Sequence, residues 1–516
     1  MILFVPKKTG TYADTLQAIG LADLAQALCG EAPLVVDLGH EFQISVKEWK
    51  PEGWSAPDPG YPYIWDSKKE RKPPPGPSLD YRSEVEKRNA AREASKASAK
   101  ARRRIKDRLQ EQGLGAPEAP KPELALATIL ASMRRGWDGD RQLYRWLTQD
   151  PSRALAWTKQ RLVANGSPVV PDPKWSNTQF LNPTTGKGVH SPKAVARGAS
   201  AINAALTDPF EDWLKLRGVF IAMLAYRNGD DFKLFVLEPA EASPTALARI
   251  ATDLRNLNLW GGVRLDIHAV LRCAAQLIRH SDVLANGPIR LKGRSPRDVI
   301  AGLRQAYFKS LGTAAALMGD SVLPLPDWFA MHTREEAGEM LEIIDEFIGS
   351  GSDSGCLGSL NESYSGEGST LQQFRKWLGT GILRDLLSFH ADFAVHLMQK
   401  RAKQDWSRPF STSRLTILLS KGYAMNEIVT NPGFLSVAQA IRNATIYSVG
   451  ENAPVEISTR FGLAQEWKQK LRVGRGEFIA AVGDFVQQYN WEVINRFKRK
   501  YHVVGTEDLN LNNSRI

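Results

Sequence analysis

Asn182-Pro183-Thr184-Thr185-Gly186-Lys187-Gly188-Val189-His190-Ser191-Pro192-Lys193 is the stretch best suited to hold a ligand. Glycines on both sides of Lys187 let main chain approach a bound group closely, and Lys187 and Lys193 supply positive charge. Such a loop suits a phosphate backbone or a base edge, and its Asn-Pro and Thr-Gly steps also serve as ordinary turn chemistry. A nucleotide-binding P-loop does not fit. Its opening glycine would fall on Leu181 and its magnesium-binding hydroxyl on Gly188.

Asp230 and Asp231 form an adjacent acidic pair that, with a distant carboxylate, would serve a metal-dependent nuclease or nucleotidyl-transfer enzyme. The Asn228-Gly229 step before them already accounts for both as turn residues of a hairpin. His390 and His396 are six apart, on different helix faces, and do not make the His-Glu-x-x-His metal pattern. No Gly-x-Ser-x-Gly elbow and no His-Asp dipeptide occurs. Cys29, Cys273 and Cys356 lie far apart without CxxC spacing, so neither a zinc knuckle nor a disulfide framework is expected. The expectation is a chain with no catalytic residues, no metal and no cofactor.

Charge points to a polyanionic partner. The 516 residues carry a formal net charge of +11, with 24% charged and 43% hydrophobic residues, a globular composition. Much of the surplus lies in Ser83 to Gln110, which includes Arg102, Arg103 and Arg104. Its only large apolar residues are Val85, Ile105 and Leu109. It reads as a cationic helix lying on phosphates or as a solvated linker.

Around these residues the pattern predicts an α+β fold, with a mixed α/β body followed by a mostly helical C-terminal bundle. Ile2 to Val5, Leu34 to Val36 and Phe42 to Val46 read as strands, and Thr11 to Leu28 as an amphipathic helix. Four segments follow from composition. They are a small α/β unit over 1–48, a Pro/aromatic arm and basic stretch over 49–120, a central mixed domain over 121–395, and a helical domain over 396–516. Within them, Trp49 to Pro77 reads as an extended arm and Arg141 to Lys159 as a helix. Phe210 to Tyr226 reads as an apolar helix or a buried strand-like run. Beyond Ala246 the chain reads as mostly helical, with a flexible loop at Gly349 to Gly358. Met1 to Val5 runs straight into Pro6-Lys7-Lys8, the reverse of signal-peptide order, and no apolar run is long enough to span a bilayer. A soluble, cytoplasmic protein is expected.

The loop from Asn182 to Gly188 with Lys193, the segment Pro209-Phe210-Glu211-Asp212-Trp213-Leu214-Lys215, and Phe434 to Thr445 together resemble the large subunit of a type I CRISPR Cascade complex. The likeness is to the MYXAN or type I-B branch of the Cas eight family, including relatives carried by transposons. It covers the last two-thirds of the chain. The resemblance implies a non-catalytic subunit that recognises the PAM duplex and stabilises the R-loop, while guide RNA reads sequence by pairing. It implies as partners a CRISPR guide RNA, target double-stranded DNA, the Cascade backbone, guide-end-capping and small subunits, and a recruited helicase-nuclease or transposition proteins. No membrane partner is implied. In this frame Asn182, Gly186, Lys187, Gly188 and Lys193 would line the PAM side. Arg102, Arg103, Arg104, Gln439, Arg442, Asn443, Arg496, Lys498 and Arg499 would hold nucleic-acid backbone. Gln439, Arg442 and Asn443 share one helix face by their spacing.

Overall fold

The computed structural model describes residues 1–68, 70–83, 86–87, 90, 99–113, 134–163, 169–175, 180–183, 187–188, 208–228, 231–257, 259, 262–310, 315–350, 353–405, 407–445, 460 and 462–501. The fold is α+β. It divides into two units, one of Met1–Gly261, His268–Leu291 and Pro296–Leu325, the other of Gly262–Ile267, Lys292–Ser295 and Pro326–Ile516.

In the first unit, β1 (Ile2–Pro6), β2 (Leu34–Asp37) and β3 (Glu41–Ser45) form an antiparallel sheet in the order β1-β3-β2, extended by a short later strand, Glu241–Ala242. The first helix, Tyr12–Cys29, starts where the Thr11 side chain accepts from Ala13 N and stops at Gly30, whose φ of 76° closes it in the left-handed region. The helix is buried nearly all round rather than amphipathic, because it packs on the helix Pro209–Ala222 as well as on strands. Gly20 and Gly218 make that crossing close. A Cβ on Gly20 would lie 1.7 Å from Leu214 O, and one on Gly218 2.1 Å from Leu16 O. Gly20→Ala is expected to cost about 1–3 kcal/mol by forcing the helices apart. An unchanged urea midpoint would contradict this packing.

The Pro/aromatic segment is not a free arm. Tyr63–Trp65 and Ser78–Asp80 pair as the short parallel strands β4 and β5, and Trp54, Tyr63 and Ile64 are buried. Trp213 Nε1 donates to Pro59 O at 3.0 Å and Arg217 donates to Asp58 O at 2.8 Å, tying the segment to the helix Pro209–Ala222. Its aromatics have core to fill, which outweighs its poor secondary-structure propensity.

Two other expectations change in detail. Arg134–Gln149 and Pro151–Leu162 are separate helices, because Pro151 cannot continue the first and Asp150 caps the second through Arg153 N. The apolar run after Asp208 is a helix, Pro209–Ala222, passing directly into a strand, Met223–Asn228.

A five-stranded sheet forms from β6 (Lys187–Gly188), β7 (Met223–Asn228), β8 (Asp231–Pro239), β10 (Ile300–Ser310) and β11 (Ala315–Pro324), in the order β6-β11-β10-β8-β7; β9 is the strand Glu241–Ala242 of the other sheet. The expectation of helix beyond Ala246 fails at β10 and β11. Register shifts at Ile300/Gly302 and Tyr307/Phe308 break the alternation that would mark a strand, and the pairing of β10 with β8 is long-range.

The second unit is helical among its described residues. Arg334–Ile348 begins with a capping box between Thr333 and Glu336, and an aromatic cluster of Trp328, Phe347, Phe374, Trp377 and Phe389 fills the space between the helices. Where described, the Gly349–Gly358 stretch is packed rather than loose. Cys356 and Leu357 are buried, and a Cβ on Gly355 would lie 2.4 Å from Phe347 O. The helix Leu383–Ala402 runs through residue 396 without a break, and Pro432–Thr445, Leu463–Val473 and Arg475–Tyr501 follow it. Among the described residues no helix is long and apolar enough to cross a membrane.

Candidate nucleic-acid interface

The Gly-Lys-Gly loop is fastened at both ends. At its root Phe180, Leu181 and Asn182 are buried, and Tyr12 OH donates to Phe180 O at 2.6 Å. Asn182 is only 2% exposed. Its amide nitrogen donates to Asp212 Oδ1 at 2.9 Å, and Lys215 Nζ donates to Asn182 Oδ1 at 2.6 Å. Lys215 also lies 3.3 Å from Asp212, so the three side chains close a buried ring. Asn182 therefore sits inside the protein as a clamp, with its side chain turned to the helix Pro209–Ala222. Burial pushes the Asp212 carboxyl up from its ordinary range, and the Lys215 ammonium and Asn182 amide pull it back.

Further along, Lys187 and Gly188 pair in parallel with Ala316 and Leu317 of β11, making the loop an edge strand of the five-stranded sheet. Only the backbone of Lys187 and Gly188 is described, and Gly186 and Lys193 lie outside the described residues. Among the described residues this strand is the outermost of its sheet.

The basic stretch includes the helix Ala99–Glu111. Arg103 and Arg104 are exposed on it, and Leu109 is its buried anchor at 1% exposure; the side chain of Arg102 lies outside the described residues. Of the two sequence readings, a helix is what the described part of the segment forms.

The C-terminal candidates all belong to the second unit. Gln439 Nε2 donates to Asn443 Oδ1 at 2.9 Å, and Asn443 Nδ2 donates to Tyr489 OH at 3.1 Å, which bridges Pro432–Thr445 to Arg475–Tyr501. Arg442 reaches Thr412 Oγ1 at 3.3 Å, and Arg496 pairs with Glu492 one turn earlier at 3.1 Å. Arg499 is exposed and Lys498 half-buried. Asn443 is thus a structural bridge, while Gln439 and Arg499 face outward.

Asp231 opens β8 opposite Asn228 and accepts from Tyr307 OH, the position the hairpin reading gives it; Asp230 lies outside the described residues. Among the described residues no group of three or more His, Cys, Asp or Glu side chains is placed to hold a metal ion. Burial pushes His390 down to about 4. His396 is buried near Ser359 and Glu367, with Nε2 3.2 Å from Ser359 Oγ.

Asp212 and Lys215 escaped the reading as partners of Asn182. The available signal was an Asp and a Lys three apart in a helix otherwise rich in large apolar residues, where charges must find each other. No family model matches the chain, and no curated protein matches it.

Proposed function

We propose that this chain is a non-catalytic nucleic-acid-binding subunit of a guide-RNA surveillance complex of the Cascade type. It would recognise a PAM duplex and stabilise the R-loop for effector recruitment. The observation that carries the reading is the helix Ala99–Glu111, which presents Arg103 and Arg104 to solvent and has Leu109 as the one buried residue among its described side chains, in a chain of net charge +11. A helix so weakly tied to a core and so cationic is suited to lie along phosphates. The anchored loop complements it. Lys187 at the sheet edge, with Gly186 and Gly188 beside it, would meet the PAM duplex, and Asn182 would hold the loop root rather than touch DNA.

In this reading the partners are guide RNA, target double-stranded DNA and the backbone, guide-end-capping and small subunits, in the cytoplasm. A recruited helicase-nuclease or a transposition module would act on the opened target. Lys187→Ala is expected to weaken binding to a PAM-bearing duplex by about 1–3 kcal/mol, with little change on a pre-opened bubble of the same sequence. Fluorescence anisotropy on the two substrates checks this. Equal loss on both would remove Lys187 from PAM recognition.

A further inference from the structure

Strand pairing fixes which residues of the five-stranded sheet share a face. Across β8, β10 and β11, Tyr307 lies opposite Lys233 on one side and Gly319 on the other, and the next same-face row brings Phe235, Gln305 and Ser321 into line. On β10, Ala306 and Phe308 turn to the core with Phe232 and Leu234 of β8. Side chains alternate along a strand, so Lys233, Gln305, Tyr307, Lys309 and Gly319 belong to the opposite face. Gln305 Nε2 donates to Ser321 Oγ at 2.7 Å, as that alignment requires. At one end of this face Leu237, Leu303 and Leu323 are buried, and at the other Tyr307 is 37% exposed and Lys309 is exposed.

A flat ring and positive charge meet at the exposed end. Tyr307 OH donates to Asp231, which holds the ring in place. Gly319 across from it has no side chain, and a Cβ built there would have no heavy atom of the described residues within 4 Å. The tyrosine ring therefore does not fold over the glycine, as it would if it served to cover bare backbone, and the space beside the ring is open. Lys309 stands one same-face row from Tyr307, about 7 Å along the strand. Lys233 lies opposite Tyr307, with Nζ 5.5 Å from the Phe235 ring centre. Lys309 also pairs with Ala316, which pairs with Lys187, so one row of the sheet holds Lys309 and, two strands away at the edge, Lys187.

We propose that this end of the sheet face binds a segment of single-stranded DNA, with one base stacked on Tyr307 above Gly319 and with Lys309 and Lys233 meeting phosphates on either side. An aromatic face accepts any base, and lysines beside it meet the charge of the strand. Together they fit a polyanion that carries flat rings. An acidic protein would pair with the lysines but brings no ring for the open position over Gly319. The choice of DNA rests on the reading of Lys187 as the PAM-side residue, since a strand parted there starts at the edge of the row that holds Lys309.

The test measures binding of a labelled oligothymidylate, an oligouridylate and a DNA duplex to the full-length protein at several salt concentrations. Tyr307→Leu should weaken oligothymidylate binding about fivefold or more, and Tyr307→Phe should change it little because the ring remains. Gly319→Val fills the space beside the ring without a clash and should weaken binding to a similar extent. Lys309→Gln should lower the salt slope by about 0.7, and Lys309→Gln with Lys233→Gln by about 1.4. Wild-type affinity in both Tyr307→Leu and Gly319→Val overturns the site, and if oligothymidylate is still bound the nucleic-acid reading stands. A slope lowered by the lysine changes, with those two variants at wild-type affinity, describes a face for any polyanion, acidic proteins included, and overturns base stacking there. Larger losses on oligouridylate than on oligothymidylate overturn DNA as the occupant. No binding of either strand or of duplex by wild type overturns both this site and the reading beneath it.

Discussion

Replacing Arg102, Arg103 and Arg104 together by alanine should flatten the dependence of DNA affinity on salt. Each phosphate neutralised by one cation contributes about 0.9 to the slope of log affinity against log salt on duplex DNA, so loss of three contacts lowers the slope by about 2.7. Between 50 and 200 mM salt, wild type would then lose about 40-fold more affinity than the variant. Folding should be little affected, because Arg103 and Arg104 are exposed and Leu109 of the same helix is buried. The three alanines also raise helix propensity slightly, which guards against loss of binding through unfolding. Binding isotherms at four salt concentrations decide the matter. A variant with the wild-type slope would take this helix off the phosphate backbone.

Lys215→Ala should produce the largest loss of stability among the changes at the loop root. Lys215 and Asp212 are each about 3% exposed by side chain and are joined through Asn182. Removing the ammonium leaves Asp212 buried beside the Asn182 amide alone, and breaking a buried pair from one side costs about 3–5 kcal/mol. Exchanging both charges, as Lys215→Met with Asp212→Asn, removes the stranded charge and should recover most of that loss. Asn182→Ala takes a hydrogen bond from both partners but leaves the ion pair, with an expected cost of about 1–3 kcal/mol. Urea unfolding of the four proteins separates these outcomes. Equal destabilisation by the single and double changes would mean the ring contributes by packing and not by charge pairing.

The two predictions draw on parts of the molecule that were unequally legible in the amino-acid sequence. The α+β class, the strands at the N-terminus and the helix Tyr12–Cys29 follow from local pattern and the Thr11 cap, and the structure has all of them. The Asn228-Gly229 step likewise announces the turn between β7 and β8, which pair antiparallel. What local pattern conceals is anything fixed by distant pairing. β10 looked like part of a helical region because its bulges break the two-residue period, and its partner β8 lies well before it, with Gln305 paired to Phe235. Tertiary burial also decides the fate of Trp49 to Pro77, whose prolines suggested an arm although Trp54, Tyr63 and Ile64 are buried.

The candidate site shows the same division. Glycines around Lys187 and the cationic run near Arg103 are visible as residue types. Whether a polar side chain faces water or a buried partner is not, and Asn182 illustrates it. Its type suits a base edge, but Asp212 and Lys215, thirty residues on, claim both ends of its amide. Asn443 is likewise drawn inward by Tyr489, which leaves Gln439 and Arg499 as the outward members of the C-terminal set.

Isolation of the tagged full-length chain from its own cells, with sequencing of the RNA that comes with it, tests the central claim most directly. Short RNAs sharing one constant end and differing in their interiors, recovered with backbone and guide-end-capping subunits, are the predicted result. Recovery of the chain without such RNA and without those subunits would contradict its place in a guide-carrying particle.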